Sequence, residues 1–198
     1  NLSNAVAAMA ACRLHGVSFA ELRRAVEGLE APGRRFDYRG TWQGRQVVDD
    51  YAHHPSEVDA TLATARLMVS SGRSTLPEPP QRLLAIFQPH RYSRTAEFLE
   101  PFAQALTQAD AVILAPLYAA GEDPIPGISS AALAAAIGRL KPDLPVAVTA
   151  SLDELTDAVV ERSQAGDLVL AMGAGDVNGL WSRLQQRQER STAVPLAA

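Results

Sequence analysis

Short apolar runs alternate with helix-forming segments through most of this chain. The runs with the length and composition of buried strands are LLAIF at 83–87, AVILA at 111–115, VAVT at 146–149 and LVLAM at 168–172. Helices are predicted after them at 95–109, 129–140 and 151–163 and from about Val177. Because continuous apolar strands that alternate with helices are buried on both faces, this pattern predicts a mainly parallel sheet between two layers of helices.

An antiparallel hairpin is predicted ahead of the first of these strands. Residues 35–42 and 45–50 carry β-type residues around Gln43-Gly44, a pair typical of a tight turn. Two features are expected between this hairpin and the strand at 83–87: a helix from Pro55 to about Val69, and a flexible loop without core residues at 70–81. The chain is therefore predicted to contain an α/β domain of the Rossmann-like, doubly wound class, with an N-terminal β-hairpin.

Two helices are predicted before the hairpin, with no strand between them. The first covers residues 3–15, and the second begins after Ser18, where Glu21 three residues on completes a capping box. Two consecutive helices without a strand are typical of the end of another domain. We therefore predict three parts: 1–32 as the truncated end of one domain, 33–188 as a complete α/β domain, and 189–198 as a flexible tail.

Composition and charge exclude several classes of protein. Of the 198 residues, 47% are hydrophobic, which is enough to form a real core. The formal net charge of −4 gives no overall basic field, so we expect no nucleic-acid partner. No apolar run approaches the roughly 20 residues that span a bilayer, so no membrane insertion is expected. The single cysteine, Cys12, excludes an internal disulfide and fits a cytoplasmic location.

Three polar clusters follow predicted strands, at the ends where open parallel sheets bind ligands. The first cluster, DDYAHHP at 49–55, places two carboxylates and two imidazoles within six residues at the start of a helix. Such a cluster could ligate a metal, and the helix N-terminus could hold an anion. In the alternative interpretation, Asp49 or Asp50 caps the turn and the two histidines are merely solvated.

The second cluster, QPHRYSRT at 88–95, contains His90, Arg91 and Arg94. If the following helix begins early, the two arginines lie on one face, and both can fork onto a carboxylate or a phosphate. Cations are disfavoured at a helix N-terminus, so this placement favours a bound anion. In the alternative interpretation, the arginines pair with acidic residues of the chain itself: Glu97, Glu100 or the Asp49–Asp50 pair.

The third cluster is GAGD at 173–176, directly after the last predicted strand. Glycines in such a place let backbone N–H groups approach a phosphate. The pattern is not GxGxxG and does not follow the first strand, which argues against a nicotinamide-binding Rossmann domain. The phosphate-loop motif GxxxxGK[ST] is also absent, so the chain is not expected to hold a nucleoside triphosphate by itself.

Five blocks along the chain form an ordered set of motifs. They are NLSN at 1–4, RRFD at 34–37, DDYAHHPSE at 49–57, FQPHRYSRT at 87–95 and GAGD at 173–176. This order resembles that of the Mur ligase family, and the two long middle blocks are similar to those of its alanine-adding members. Asp37 departs from the family pattern, which has Glu there, and the loop at 70–81 is longer than is typical.

The resemblance implies an ATP-dependent ligase of peptidoglycan synthesis. In the implied reaction, ATP phosphorylates the carboxylate of UDP-N-acetylmuramate, and the amine of L-alanine attacks the acyl phosphate to give an amide, ADP and phosphate. ATP and Mg²⁺ are implied as cofactors, with the main magnesium ligands outside this chain. Residues 1–32 would end the family's central domain, the N-terminal and central domains would be partners of this segment, and the segment alone is expected to be inactive.

The resemblance also assigns site residues by position. Asn4 and Asn1 are implied to contact adenine, while Arg35 lies near the ribose and Asp50 accepts from its hydroxyls. The implied substrate-binding residues are Tyr51, His90, Arg91, Arg94, Gly173 and Asp176. The implied catalytic residues are His53, His90, Arg91 and Arg94. Either arginine can take the alanine carboxylate, and either histidine can orient or deprotonate the ammonium group. No metal ligand is implied within the chain.

Two other classes of function remain open from the residues alone. A metal-dependent hydrolase could use Asp49, Asp50, His53 and His54, and it would bind a transition metal stoichiometrically. A non-catalytic binding module with a Mur-like fold would restore no ligase activity when joined to the other domains of the family.

Overall fold

The structure of this chain, a computed structural model, describes residues 2–28 and 33–192, and the side chains of 4–28 and 33–190. The chain divides into two compact units, Asn1–Gly33 and Arg34–Ala198. The described part of the smaller unit is helical, and the larger unit contains six strands. The assignment of the smaller unit to the end of another domain stays a prediction.

Two helices make up the described part of the smaller unit: α1 (Leu2–Leu14) and α2 (Phe19–Glu27). At the start of α2, Ser18 Oγ accepts from the Glu21 N–H at 3.3 Å, and Glu21 Oε2 accepts from the Ser18 N–H at 2.9 Å. These bonds pair donors that a helix start leaves open, and they confirm the predicted capping box. The bonds from the Ser18 hydroxyl and N–H also lower the pKa of Glu21.

The larger unit alternates strands with helices after an initial hairpin. Its strands are β1 (Asp37–Trp42), β2 (Arg45–Asp50), β3 (Arg82–Phe87), β4 (Ala111–Leu114), β5 (Val146–Val148) and β6 (Asp167–Met172). Its helices are α3 (Pro55–Ser71), α4 (Tyr92–Glu97), α5 (Leu99–Leu106), α6 (Ser130–Leu140), α7 (Leu152–Arg162) and α8 (Leu180–Thr192). A short 3₁₀ helix, Asp176–Gly179, precedes α8.

The six strands form one sheet in the order β1-β2-β6-β3-β4-β5. β1 and β2 are antiparallel, whereas every other pair of neighbours is parallel. The order shows that the chain moves outward from β3 to β5 and then returns to place β6 between β2 and β3. The predicted doubly wound α/β class, with a mainly parallel sheet and an N-terminal hairpin, is confirmed.

The hairpin turn has the backbone that its two residues predict. Gln43 and Gly44 have φ values of 46° and 79°. Positive φ at both central positions is the geometry of a type I′ turn, whose twist matches that of the flanking strands. A Cβ on Gly44 would also lie only 2.9 Å from the Cβ of Ala165, so both conformation and close packing require glycine there.

Strand side chains alternate between two cores, one on each face of the sheet. On one face, Leu83, Ala85 and Phe87 of β3 join a core that includes residues of α3, α5 and α6. On the other face, Leu84 and Ile86 join a core that includes residues of α7 and α8. Burying one leucine or phenylalanine contributes roughly 1.5–3 kcal/mol. The two-residue period of a strand therefore lets β3 stabilise both helical layers.

The loop at 70–81 differs from its prediction. Leu76 in this loop is 8% exposed and belongs to the core on the α3 side of the sheet. Gln46 of β2 donates from Nε2 to the backbone oxygen of Glu78 at 2.6 Å. The expectation of a loop without core residues is wrong, because a single leucine among proline and serine residues is enough to anchor the segment.

Several helix boundaries also differ from prediction. Two helices, α4 and α5, replace the single helix expected at 95–109, and they are separated at Phe98. α8 continues to Thr192, beyond the predicted domain end at 188, while residues 193–198 of the predicted tail lie outside the described residues. In the described part of the chain, no helix combines the length and apolar composition needed to cross a membrane.

Candidate active site

The three predicted polar clusters meet at one edge of the larger unit's sheet. The strand registers align Asp50, Phe87 and Met172, so that β2, β3 and β6 end together. Beyond these ends, the Gly173 N–H donates to Asp50 O at 3.1 Å, and the Gln88 N–H donates to Met172 O at 2.9 Å. This is the edge at which open parallel sheets bind their ligands.

Both carboxylate oxygens of Asp50 accept backbone hydrogen bonds. Oδ2 accepts from the Phe36 N–H and Oδ1 from the Ala52 N–H, each at 2.7 Å. The residue is 9% exposed. Asp50 therefore caps the turn after β2, which is the structural role that the sequence left open for Asp49 or Asp50. Its implied contact with a ribose stays a prediction, and only the remaining lone pairs of the two oxygens are available for it.

Arg34 joins two of the clusters, although it was not among the predicted site residues. Its Nε donates to Asp49 Oδ2 at 3.0 Å, and its Nη2 donates to Gly173 O at 2.6 Å. Its guanidinium also lies over the ring of Tyr51, 4.9 Å from the centroid. Burial raises the pKa of Asp49, although the positive charge of Arg34 opposes this shift. Arg34 is thus a clamp between the end of β2 and the glycine loop after β6.

Arg35, the arginine implied to lie near a ribose, has a different environment. Its side chain is exposed, and it makes no hydrogen bond or ion pair with the residues that the structure describes. Two adjacent arginines carry no local signal for which one turns toward the sheet. The structure selects Arg34, which has a positive φ of 59°. The ribose contact of Arg35 remains a prediction.

The two adjacent histidines have different tasks. His53 Nδ1 lies 2.8 Å from the carbonyl oxygen of Tyr51. Since a carbonyl only accepts, Nδ1 carries the proton, and a neutral His53 has its lone pair on Nε2. His54 is the N-cap of α3: its Nδ1 accepts from the Ser56 N–H, and its ring packs on Phe98. His54 is therefore structural, while His53 keeps an available nitrogen.

Glu57 fixes the backbone that carries these histidines. Its Oε2 accepts from the N–H groups of His53 and His54, at 3.1 and 3.2 Å. Burial alone would raise the pKa of Glu57, but these hydrogen bonds and the two imidazoles outweigh it, and the pKa is lowered. Glu57 Oε2 also lies 3.5 Å from His53 Nδ1.

His90 has the opposite tautomer to His53. Arg94 Nη1 lies 3.3 Å from His90 Nδ1, and a guanidinium only donates, so Nδ1 is the acceptor and Nε2 carries the proton. Burial, followed by the charge of Arg94, lowers the pKa of His90 and favours this neutral form. The ring stacks on Tyr118 at 5.4 Å and lies 6.2 Å from the ring of His53.

Arg91 and Arg94 are not equivalent. Arg91 is the N-cap of α4, with φ 73°, and its Nη1 lies 3.3 Å from Glu122 Oε1. Arg94 contacts His90 and has no carboxylate partner among the described residues. The alternative partners considered for the arginines, namely Glu97, Glu100 and the Asp49–Asp50 pair, are wrong for both. The acidic partner of Arg91 comes from the loop after β4, 31 residues along the chain.

The glycine loop at 173–176 packs closely against the end of β3. A Cβ on Gly173 would lie 3.0 Å from Gln88 Cβ, and a Cβ on Gly175 would lie 2.8 Å from Tyr118 Cγ. Gln88 holds the loop, because its Nε2 donates to Asp176 Oδ1 at 2.7 Å and its Oε1 accepts from the Val177 N–H. Close approach explains the two glycines, and the substrate contacts implied for Gly173 and Asp176 stay predictions.

The larger unit therefore presents a row of aromatic and imidazole rings, with Arg94 beside it, at the edge of its sheet. Tyr51, His53, His90 and Tyr118 follow one another, with successive ring centroids 5.1, 6.2 and 5.4 Å apart, and Arg94 adjoins His90. Such a row can accept an anion and exchange a proton. Of the implied adenine contacts, Asn4 is an exposed residue of α1 in the smaller unit, and Asn1 lies outside the described residues.

The geometry does not favour a metal-dependent hydrolase. Within residues 2–28 and 33–192, no three His, Cys, Asp or Glu side chains are grouped so that they could hold a metal ion. Three residues of the proposed ligand set have other tasks, since Asp49 pairs with Arg34, Asp50 caps a turn and His54 caps α3.

Comparison with known proteins decides the family. Residues 34–175 match the family described as Mur ligase, glutamate ligase domain. The chain belongs to the Mur ligase family. The match begins at Arg34, where the larger compact unit also begins.

Two curated Mur ligases are close relatives over nearly the whole chain. The UDP-N-acetylmuramate–L-alanine ligase of Synechococcus sp. (strain CC9605) is 66% identical over 184 residues, which cover 93% of this chain and 39% of the relative. The enzyme of the same name from Prochlorococcus marinus (strain MIT 9303) is 62% identical over 198 residues, which cover 100% of this chain and 41% of the relative. The chain thus spans about 40% of the length of these Mur ligases.

A solved Mur ligase has the same fold. The crystal structure of the UDP-N-acetylmuramate–alanine ligase of Thermotoga maritima superposes with a TM-score of 0.71 at 25% identity, and the match covers 96% of this chain and 38% of that one. The relatives thus agree with the family that the five motifs predicted, and with its alanine-adding branch.

Proposed function

We propose that this chain is the amino-acid-binding part of an ATP-dependent ligase that joins L-alanine to the carboxylate of UDP-N-acetylmuramate in peptidoglycan synthesis. The names of its close relatives support this proposal. The observation that carries it is the guanidinium of Arg94, which has no carboxylate partner among the described residues and lies beside a neutral His90, at the edge of the sheet where ligands bind.

Arg94 is the residue that we assign to the alanine carboxylate. Glu122 already offsets the charge of Arg91, whereas Arg94 has no carboxylate partner among the described residues. A guanidinium can donate two parallel hydrogen bonds to a carboxylate, which fixes both the position and the orientation of the amino acid. His90 accepts from one nitrogen of Arg94 and so holds the fork in place.

His53 is the residue that we assign to the ammonium group. The amine must lose a proton before it can attack an acyl phosphate. Neutral His53 has its lone pair on Nε2, because Nδ1 donates to Tyr51 O. This lone pair can accept a proton from the amine as a general base, and Glu57 Oε2 lies 3.5 Å from His53 Nδ1 on the other side of the ring. His90 cannot serve in the same way, since its Nε2 carries the proton, but it can donate toward negative charge in the tetrahedral intermediate.

ATP is the second substrate in this proposal. It phosphorylates the muramoyl carboxylate, and the attack of the amine then releases ADP and phosphate. Asp50, Arg35, Asn4 and Asn1 are proposed to contact the nucleotide, and Arg91, Gly173 and Asp176 to line the site. No group of acidic side chains in the described residues fits Mg²⁺, so we place its main ligands in the other domains and derive no step from it.

The other domains of the family are the proposed partners of this chain. The UDP-sugar site and the phosphate loop are expected there, so that the active site forms when the domains close on one another. We accordingly propose that the 198-residue chain alone is inactive, and that the complete ligase works in the cytoplasm.

Phosphate release tests this function directly. Release would be measured with ATP, Mg²⁺ and UDP-N-acetylmuramate, with and without L-alanine, on the chain alone and on the chain joined to the N-terminal and central domains of a relative. We expect the joined protein to release phosphate only when L-alanine is present, and we expect the chain alone to release none. A joined protein that is folded, binds ATP and releases no phosphate with L-alanine would overturn the proposal.

A further inference from the structure

Glu122 contacts the start of α4 through three donors, although it lies in none of the polar clusters of the sequence. Its Oε2 accepts from the Ser93 N–H at 2.9 Å. Its Oε1 accepts from the Ser93 hydroxyl at 2.7 Å and from Arg91 Nη1 at 3.3 Å. The bond from the Ser93 N–H is the largest cause of the lowered pKa of Glu122, followed by the Ser93 hydroxyl. The carboxylate is thus charged, and both of its oxygens accept hydrogen bonds from the start of α4.

The start of α4 needs such a partner because it has no cap of its own. Its N-cap residue is Arg91, whose side chain makes no capping hydrogen bond and whose φ of 73° is uncommon for a residue with a Cβ. An uncapped helix start leaves backbone N–H groups without acceptors. Glu122 supplies the missing acceptor to Ser93 from a distant loop, as a capping side chain would from within the helix.

The same loop supports the residues that we assign to the amino acid. The Arg91 N–H donates to Tyr118 O, and the Tyr118 N–H donates to Pro89 O, both at 2.8 Å. The ring of Tyr118 stacks on His90. The loop between β4 and α6 therefore contacts the His90–Arg94 segment at its beginning through Tyr118 and at the first turn of α4 through Glu122.

We propose that Glu122 is a positioning residue of the amino-acid site: its carboxylate ties the loop after β4 to the first turn of α4 and so holds Arg94 and His90 in place for the substrate carboxylate. The proposal rests on the proposed function of Arg94. Glu122 itself is assigned no contact with a reacting atom, because it acts through Ser93 and Arg91.

Two substitutions of Glu122 distinguish the effect of its hydrogen bonds to Ser93 from the effect of its negative charge. Glu122→Ala removes all three contacts, whereas Glu122→Gln removes the charge but keeps a side-chain oxygen that can accept from Ser93. In the joined, active protein, Glu122→Ala is expected to raise the KM for L-alanine about 30-fold, the usual cost of losing hydrogen bonds to a charged group. Glu122→Gln is expected to raise the same KM less than about 5-fold, because the acceptor is retained.

The split between kinetic constants distinguishes positioning from general destabilisation. The kcat of both variants is expected to change less than about 3-fold, and the KM for ATP is expected to stay unchanged, because the hold on the amino-acid carboxylate is weakened equally in the ground state and in the transition state. Glu100→Gln is the matched control: it removes a carboxylate from an exposed ion pair with Arg139 on the same unit and should change neither KM. The proposal is overturned if Glu122→Ala leaves the KM for L-alanine unchanged. It is also overturned if the KM for ATP rises as much as the KM for L-alanine.

Hydrogen exchange gives a second readout that does not depend on activity. In Glu122→Ala, the amides of a peptide covering 90–97 should exchange about 10-fold faster than in the parent protein, while peptides from the core strands stay protected. Unchanged exchange in that peptide would contradict the proposed positioning role of Glu122, even if the parent protein released no phosphate. An inactive parent protein would contradict the proposed function alone.

Discussion

Charged side chains have different partners at the two edges of the larger unit's sheet. At the edge where the strands begin, Arg82 Nε and Nη2 donate to the two oxygens of Asp167, at 2.9 and 2.7 Å. Arg66 pairs with Asp110 at 3.0 Å beside it. At the edge where the strands end, Arg94 lacks a carboxylate partner among the described residues, and His53 keeps a free ring nitrogen.

Charged side chains that stabilise the fold differ from those available to a ligand in whether they have an oppositely charged partner. Asp167 has a side chain only 1% exposed, and a buried carboxylate needs a paired cation. Arg94 has a neutral histidine beside it, which holds its position without cancelling its charge. A cation that is positioned but not neutralised is ready to receive an anion. The pairing of each charge is therefore more informative than the density of charges in the sequence.

The largest effect is expected from breaking the pair at the edge where the strands begin. Arg82→Ala leaves Asp167 buried without its cation and should lower the free energy of unfolding by about 3 kcal/mol. Denaturant unfolding of the chain measures this loss, and the KM values of the joined protein should not change. Arg139→Ala, which breaks an exposed pair with Glu100, should cost less than about 0.5 kcal/mol. Equal losses for the two variants would mean that burial does not distinguish the pairs.

The matching change at the edge where the strands end should alter binding instead of stability. Arg94→Ala in the joined protein should raise the KM for L-alanine about 100-fold, because a bidentate contact with the carboxylate is lost. The KM for ATP and the unfolding midpoint should stay close to those of the parent. Arg91→Ala should raise the alanine KM less, since Glu122 already pairs with Arg91. The assignment fails if Arg91→Ala has the larger effect.

Asp50 lies at the ligand-binding edge, but both of its oxygens accept hydrogen bonds within the fold. Asp50→Ala leaves the N–H groups of Phe36 and Ala52 without acceptors, and it should lower the free energy of unfolding by about 2 kcal/mol. Asp50→Asn keeps one side-chain acceptor and should lose less. Thermal unfolding and the KM for ATP would be measured together. Asp50 is also proposed to contact the nucleotide, so the KM for ATP should rise in Asp50→Ala as well. Unchanged stability in this variant would contradict the capping role.

The smallest effect concerns the titration of His90. Burial and the charge of Arg94 lower its pKa in the fold, so the folded protein resists protonation that the unfolded chain accepts. His90 therefore contributes to a loss of stability as the pH falls below the ordinary histidine pKa of about 6.5. Unfolding curves of His90→Gln should depend less on pH between about 7 and 5. A ring resonance of His90 that titrates above 6.5 in the NMR spectrum would refute the lowered pKa.

Most of the sheet was predictable from the sequence because strand formation there is a local signal. LLAIF at 83–87 predicted a buried strand, and β3 covers Arg82–Phe87. The Gln43-Gly44 turn and the Ser18 capping box were likewise predicted, since each depends on a few adjacent residues. Leu76 was missed because nothing local distinguishes a leucine that reaches the core from one that remains in a loop.

The candidate site was predictable in its members but not in their roles. His53, His90 and Arg94 were predicted as site residues because they follow the ends of predicted strands, and open parallel sheets bind ligands at the carboxyl ends of their strands. Their protonation was not predictable, since it depends on which acceptor or donor lies beside each ring. Tyr51 O fixes one tautomer, and Arg94 fixes the other.

The doubly wound fold, the family and the edge of the sheet at which the polar clusters meet could all be predicted from the sequence, because periodicity and contiguous motifs are carried by neighbouring residues. Which charged groups are paired within the fold could not be predicted, because their partners lie far away along the chain. Glu122 pairs with Arg91 across 31 positions, and Asp50 is occupied by two backbone amides, one of them from Phe36. The lone pairs and charges left for a substrate depend on partners that folding brings together from distant segments.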